Sequence, residues 1–144
     1  MNVRILVVDD EEDNRSMLSR HFRFNGFDVE TAANGRQALE TIEEKKIDIV
    51  ISDIMMPVMN GIELLKEIHM NFPTTRTIMI TGYVTLENAM ACMRYGADTC
   101  IFKPLKDLSK LDEAVDSAVS SMRHWLEILS QLRAMKPSEE AKSL

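Results

Sequence analysis

Apolar residues along this chain keep two alternating rhythms. Mainly apolar runs at residues 3–8, 47–52 and 76–80, with weaker ones at 27–31 and 99–102, each lead into a stretch where apolar positions recur every three or four residues. The runs predict strands and the spaced stretches predict helices. The first helix is expected over 14–24, with Met17, Leu18, His21, Phe22 and Phe24 on one side, and Asn25-Gly26 ends it. The second is expected over 35–45 with Ala38, Leu39 and Ile42 inward, the third over 61–70, and the fourth over 86–94, closed by Gly96. Glycine suits both closures because it tolerates the left-handed conformation past a helix end. Strands 1, 3 and 4 are apolar nearly throughout, which is expected of strands covered on both faces. The architecture this implies is α/β: an open, doubly wound, five-stranded parallel sheet with helices on both faces.

The last segment departs from the rhythm. Leu111, Val115, Ala118, Met122, Trp125, Leu129 and Leu132 follow one another at steps of four and three. One helix over 108–133 would carry them, roughly 26 residues or about 39 Å long. Packing on the sheet needs it only to about residue 121. Beyond that, Trp125, Leu126, Leu129 and Leu132 form an apolar stripe that calls for a partner. The chain therefore divides into a domain at 1–121, a helical extension at 122–136 that reads as a coiled-coil stem or linker, and a flexible tail at 137–144. A helix folded back on its own domain is the alternative for the stem.

Composition narrows the function. A chain of 144 residues with 45% hydrophobic and 28% charged positions suits one globular domain. A net charge of -6 without a basic stretch argues against direct nucleic-acid binding. No apolar run approaches the roughly 20 residues that span a bilayer. The start, Met1-Asn2-Val3-Arg4, enters a strand without room for a signal peptide, so a cytoplasmic setting is expected. Cys92 and Cys100 lack metal-type spacing and are expected to be buried free thiols.

The chemistry collects at strand ends. Asp9 and Asp10 end the first strand, Asp53 the third, Thr81 the fourth, and Lys103 follows the fifth. Right-handed crossovers put every strand's C-terminal end on one edge, the edge where such folds bind ligands. Three carboxylates brought close repel one another unless a cation intervenes. Mg²⁺ suits an all-oxygen set, with Asp10 and Asp53 as direct ligands, Asp9 binding directly or through water, and the Met55 carbonyl as a further oxygen. Asp53, alone on its strand end, is the expected nucleophile toward a phosphoryl group. Lys103 and the Thr81 hydroxyl would hold phosphoryl oxygens, joined by the amides of Gly82 and Ile54. Singly, each has a plainer reading: Asp10 with Asp13 as a helix cap, Asp53 as a turn residue, Thr81 as a cap, Lys103 as a surface lysine. Five such residues on one edge argue against coincidence.

The set resembles the receiver domain of two-component response regulators. The residues that carry the resemblance are Val7-Val8-Asp9-Asp10-Glu11, Asp53-Ile54-Met55-Met56-Pro57-Val58-Met59-Asn60-Gly61, Met79-Ile80-Thr81-Gly82-Tyr83, and Phe102-Lys103-Pro104-Leu105. It covers about residues 3–121. It implies a flavodoxin-like strand order 2-1-3-4-5 and a cis bond before Pro104. It also implies that Asp53 accepts a phosphoryl group from a phosphohistidine on a sensor histidine kinase or a phosphotransfer protein, with Mg²⁺ held by Asp9, Asp10, Asp53 and Met55. Such a protein is a signalling switch rather than an enzyme, assisting only its own phosphotransfer and slow autodephosphorylation. One position departs: the family's switch aromatic on the fifth strand is Cys100 here, and Tyr83 is the substitute at hand.

Two other functions compete. A pseudo-receiver, acting as a non-phosphorylated interaction module, would lack an acid or the lysine, and none is missing. A metal-dependent phosphatase with an aspartyl nucleophile would carry an acid two positions after Asp53, where Met55 stands. His124 reads as a surface histidine. The partners the organisation admits are a kinase or phosphotransfer protein, a C-terminal output domain or partner protein, and a second copy joined through the helix 4–strand 5–helix 5 face or the last helix.

Overall fold

The computed structural model describes residues 2–82 and 85–135. In chain order the elements are β1 (Arg4–Val8), α1 (Glu12–Phe24), β2 (Asp28–Ala32), α2 (Gly35–Glu44), β3 (Ile49–Asp53), α3 (Gly61–Asn71), β4 (Arg76–Thr81), α4 (Leu86–Arg94), β5 (Thr99–Phe102) and α5 (Ser109–Ala134). All strand pairs are parallel, in the order β2-β1-β3-β4-β5. The expected fold and strand order are both present.

Side-chain alternation along the strands splits the core into two layers. Ile5, Val7, Ile49, Ile51, Ile78 and Ile80 face Leu18 and Phe22 of α1 and Leu111, Val115 and Ala118 of α5. Leu6, Val8 and Val50 face Ala38 and Ile42 of α2 and Leu64 and Ile68 of α3. Under α4 a smaller cluster joins Ile54, Leu65, Met79 and Cys92. The strand order reverses beside β1, with β2 on one side and β3 on the other, so the crevice lies where β1 and β3 end.

Several expectations need correction. α1 begins at Glu12 rather than residue 14, because Glu12 and Asp13 in its first turn favour the positive helix end, a contribution invisible to apolar periodicity. Its N-cap is Glu11, which makes no side-chain cap bond, so Asp10 is not the cap. Phe24, expected on the buried side, is 90% exposed. Asp53 and Thr81 are the last residues of their strands. Cys92 is buried, but Cys100 is only partly so; both are free thiols. Burial, aided by the neighbouring Cys100, pushes the Cys92 thiol up to about 11, and burial also raises Cys100. Side-chain caps absent from the sequence reading start three helices: Asn34, Asn60 and Thr85 each accept an amide bond three residues on.

α5 runs 26 residues without a break. Leu111, Val115, Ala118 and Val119 are buried, whereas Trp125, Leu126, Leu129 and Leu132 are each at least half exposed. The stripe beyond residue 121 thus lies uncovered among the described residues. The expected tail at 137–144, residue 136 and Tyr83 fall outside them.

Candidate functional site

Backbone bonding fixes the acidic edge before any side chain is considered. The Asp9 amide donates to the Ala32 carbonyl at 3.2 Å, prolonging the β1–β2 ladder to the acid itself. The Ile54 amide donates to the Ile80 carbonyl at 3.0 Å, locking the residue after Asp53 onto β4. The Gly61 amide then donates to the Ile54 carbonyl at 2.8 Å, drawing the start of α3 against the strand end. Only glycine fits there: a Cβ on residue 61 would stand 2.2 Å from the Asp53 carbonyl oxygen. In the loop between, Val58 takes φ 71°, a strained conformation for a β-branched residue.

Asp9, Asp10 and Asp53 each place a carboxylate oxygen within 4.8 Å of the others. Asp9 and Asp53 are buried, while Asp10 is exposed. Asp9 accepts the Glu11 amide through Oδ1 at 2.9 Å. Asp53 accepts the Met55 amide through Oδ1 at 3.2 Å and Lys103 Nζ through Oδ2 at 2.8 Å. The same ammonium stands 3.5 Å from Asp9 Oδ2. Burial raises the Asp9 carboxyl above its ordinary range, although the Glu11 amide and Lys103 oppose the shift. For Lys103, burial disfavours the charge, yet the bond to Asp53 and the fields of Asp53 and Asp9 outweigh it and raise the ammonium's pKa.

Thr81 is buried at the end of β4, and its carbonyl accepts the Lys103 amide at 2.8 Å. The Lys103–Pro104 bond is cis. Met55 is 56% exposed at the head of the loop. A groove of about 480 Å³ opens beside the acids, lined by Asp9, Glu11, Met17, Gly82, Lys103 and Pro104.

Asp9, Asp10, Asp53 and Lys103 are brought together at this edge, Thr81 ends the neighbouring strand, and the Met55 amide reaches Asp53, with one correction to the expected amides. The Ile54 amide is committed to the sheet and does not face the acids; the Met55 amide does. No apolar pattern announces that exchange, because it depends on which amide the ladder consumes. The metal-type donor set is all carboxylate, without thiol or imidazole, which fits a hard octahedral ion such as Mg²⁺. An ammonium beside three carboxylates leaves an excess of negative charge that such an ion offsets.

A profile of the family described as "Response regulator receiver domain" matches residues 5–116. Among curated proteins, the chain is 40% identical over 130 residues to Regulatory protein AtoC of Escherichia coli K12, covering 89% of this chain and 28% of that protein. It is 39% identical over 121 residues to Transcriptional regulatory protein ZraR of Klebsiella oxytoca, covering 84% and 27%. With Response regulator MprA of Mycobacterium bovis it shares 31% over 144 residues, all of this chain and 56% of that one. The chain thus spans about a quarter to a half of the length of these relatives. Among solved structures, a CheY-like receiver domain protein from Methanospirillum hungatei superposes with TM-score 0.80 at 32% identity, covering 86% of this chain and 99% of that one. Response regulator protein TrrA from Thermotoga maritima, solved in complex with Mg(2+)-BeF, gives 0.73 at 32%, covering 81% and 98%.

Proposed function

The chain belongs to the response regulator receiver domain family, and from that premise we propose that it is a cytoplasmic phosphorylation switch whose phosphoacceptor is Asp53. A carboxylate oxygen of Asp53 attacks the phosphorus of a phosphohistidine on a sensor histidine kinase or phosphotransfer protein. The phosphorus–nitrogen bond breaks, and the imidazole leaves with the electron pair. Mg²⁺, when bound, neutralises charge on the phosphoryl oxygens. Its ligands in this reading are Asp10, Asp53 and the Met55 carbonyl, with Asp9 binding directly or through water.

The chain's own residues supply position and charge. Lys103 leaves its bond with Asp53 to hold a phosphoryl oxygen, and the Thr81 hydroxyl and the Met55 and Gly82 amides hold others. The observation that carries the reading is the ammonium of Lys103 at 2.8 Å from Asp53 Oδ2, with three carboxylates within 4.8 Å of one another. A pseudo-receiver has no use for that complete set.

Receiver domains are signalling modules, and this one would catalyse nothing beyond its own phosphotransfer and slow autodephosphorylation. The output passes to a further domain or a partner protein, which accords with the short share of AtoC and ZraR that the chain spans. A second copy can join through the α4–β5–α5 face or through α5 beyond residue 121. The test of the donor is transfer of labelled phosphate from a phosphorylated histidine kinase to this chain in Mg²⁺, with EDTA and Asp53→Asn as controls. Transfer that persists in D53N would overturn the assignment of Asp53, and no transfer from any phosphohistidine donor would overturn the switch.

A further inference from the structure

Of the five helices, α4 has the slightest hold on the core. Among its nine residues only Cys92 is buried, while Leu86, Met90 and Met93 are exposed. A helix this short is not stable in water by itself, so α4 depends on that one anchor. Cys92 packs among Ile54, Leu65 and Met79, and Cys100 of β5 lies against the same cluster. Met79 and Cys100 are paired across β4 and β5, which turns both side chains to the α4 side of the sheet. There the two thiols hydrogen-bond one another.

The strand side of this pair is firmly set. Just before β5, the Asp98 amide donates to the Thr77 carbonyl at 2.8 Å. Asp98 Oδ2 accepts Arg76 Nε at 3.0 Å, and Arg76 Nη2 donates to Ser121 Oγ of α5 at 3.0 Å. On the helix side, the Cys92 carbonyl accepts the Ala97 amide at 3.0 Å, closing the turn that leads into β5. The two thiols differ in their surroundings. Cys92 is buried and Cys100 only partly so. The bond between them favours the Cys100 thiolate and disfavours that of Cys92. Cys100 is therefore the thiol to react first, with Cys92 beside it to react second. Burial raises both, which keeps them protonated at neutral pH and makes the first step slow.

We propose that Cys92 and Cys100 are an oxidisable pair, which a hydroperoxide joins into a disulfide that ties α4 to β5. The Cys100 thiolate attacks one peroxide oxygen, the oxygen–oxygen bond breaks, and Cys100 becomes a sulfenic acid. The departing hydroxide takes up the proton that the Cys100 thiol gave up. The Cys92 sulfur then attacks the Cys100 sulfur, the sulfur–oxygen bond breaks, and hydroxide leaves with the Cys92 proton as water. Two thiols lose two electrons in all, and hydrogen peroxide becomes two waters. Thiol–disulfide exchange with a small thiol reverses the bond. Nothing in this inference depends on phosphorylation of Asp53.

The full chain is treated with hydrogen peroxide and digested with trypsin. Arg94 lies between the two cysteines, so only the new bond keeps their peptides together. Amide hydrogen exchange over 86–94 is compared in the oxidised chain and in the same chain after dithiothreitol, which opens the bond and leaves methionine sulfoxides in place. The linked peptides should come from monomeric protein. Exchange over 86–94 should be about thirtyfold slower with the bond than without it, the factor set by the lower end of a disulfide's usual worth. Cys92→Ser should leave a sulfenic acid on Cys100, captured by dimedone, and Cys100→Ser should leave Cys92 a free thiol. Met93, 81% exposed, times the exposure to peroxide. Complete oxidation of Met93 with both cysteines still thiols overturns the pair, as does a linkage found only between two chains. A linkage that leaves exchange over 86–94 unchanged overturns the tie to α4. A sulfenic acid on Cys92 in C100S, with none on Cys100 in C92S, overturns the order of attack.

Discussion

Lys103 Nζ lies 2.8 Å from Asp53 Oδ2, although the two residues are 50 positions apart. The ammonium is 22% exposed and the carboxylate 8%, so neither charge is fully hydrated and each depends on the other. Replacing Lys103 with Met should therefore leave Asp53 and Asp9 facing each other uncompensated, at a cost of about 2 kcal/mol in urea unfolding at pH 7. The dependence on pH follows from the raised pKa of Lys103. Its contribution is fully present below the unfolded pKa of about 10.4 and is lost as pH rises through the higher folded value. Wild type should thus lose stability in that alkaline window by more than K103M does, and parallel limbs would contradict the assignment.

Asp9 behaves in the opposite sense. Burial raises its folded pKa, so the folded state resists its ionisation, and stability attributable to Asp9 falls as pH climbs from 3.8 through the folded value. Asp9→Asn should raise stability without Mg²⁺ at pH 7 by about 1 kcal/mol. The gain should vanish in acid. Mg²⁺ titrations followed by melting temperature should show a smaller upward shift in D9N than in wild type, because a ligand that binds the folded state stabilises it by mass action. A D9N protein less stable than wild type at pH 7 would show that the bond to Lys103, not burial, dominates.

Gly61→Ala should be among the more damaging small substitutions, since its Cβ would meet the Asp53 carbonyl oxygen at 2.2 Å and the Ile54 Cα at 2.7 Å. Both contacts are backbone and cannot rotate away. A loss of about 3 kcal/mol is expected, together with slower adduct formation as Asp53 is pushed from its place. Chemical denaturation and an acetyl-phosphate time course read the two effects separately.

How far the sequence reveals all this depends on the kind of interaction. Strand cores such as Val7, Val50 and Ile78, and the inward residues of α5, follow from apolar spacing because burial is the force that writes that spacing. The acids, Thr81 and Lys103 could be placed on one edge because parallel strands end together. Whether the Ile54 or the Met55 amide faces Asp53 is decided by the bond from Ile54 to Ile80, a tertiary partner that no local pattern encodes. The bonds from Arg76 to Asp98 and Ser121 were equally silent, spanning 22 and 45 positions between polar residues that look ordinary in sequence. Phe24 kept the helical period yet points outward, since spacing alone does not say where a buried face stops.

The division at residue 121 has its own consequence. Buried side chains of α5 end at Val119, so a chain of residues 1–121 should keep the core and unfold with nearly the stability of the whole. If the stripe of Trp125, Leu126, Leu129 and Leu132 seats a second copy, light scattering should give a dimer for 1–144 and a monomer for 1–121. Monomers for both would contradict dimerisation through the stem.

The most direct measurement of the central claim is the mass of the protein after incubation with acetyl phosphate and Mg²⁺. A phosphoryl adduct that survives acid, is lost in base, maps to the peptide containing Asp53 and is absent in D53N is the result this account predicts. An unmodified wild-type protein at saturating donor and Mg²⁺, or an adduct that D53N retains, would contradict it.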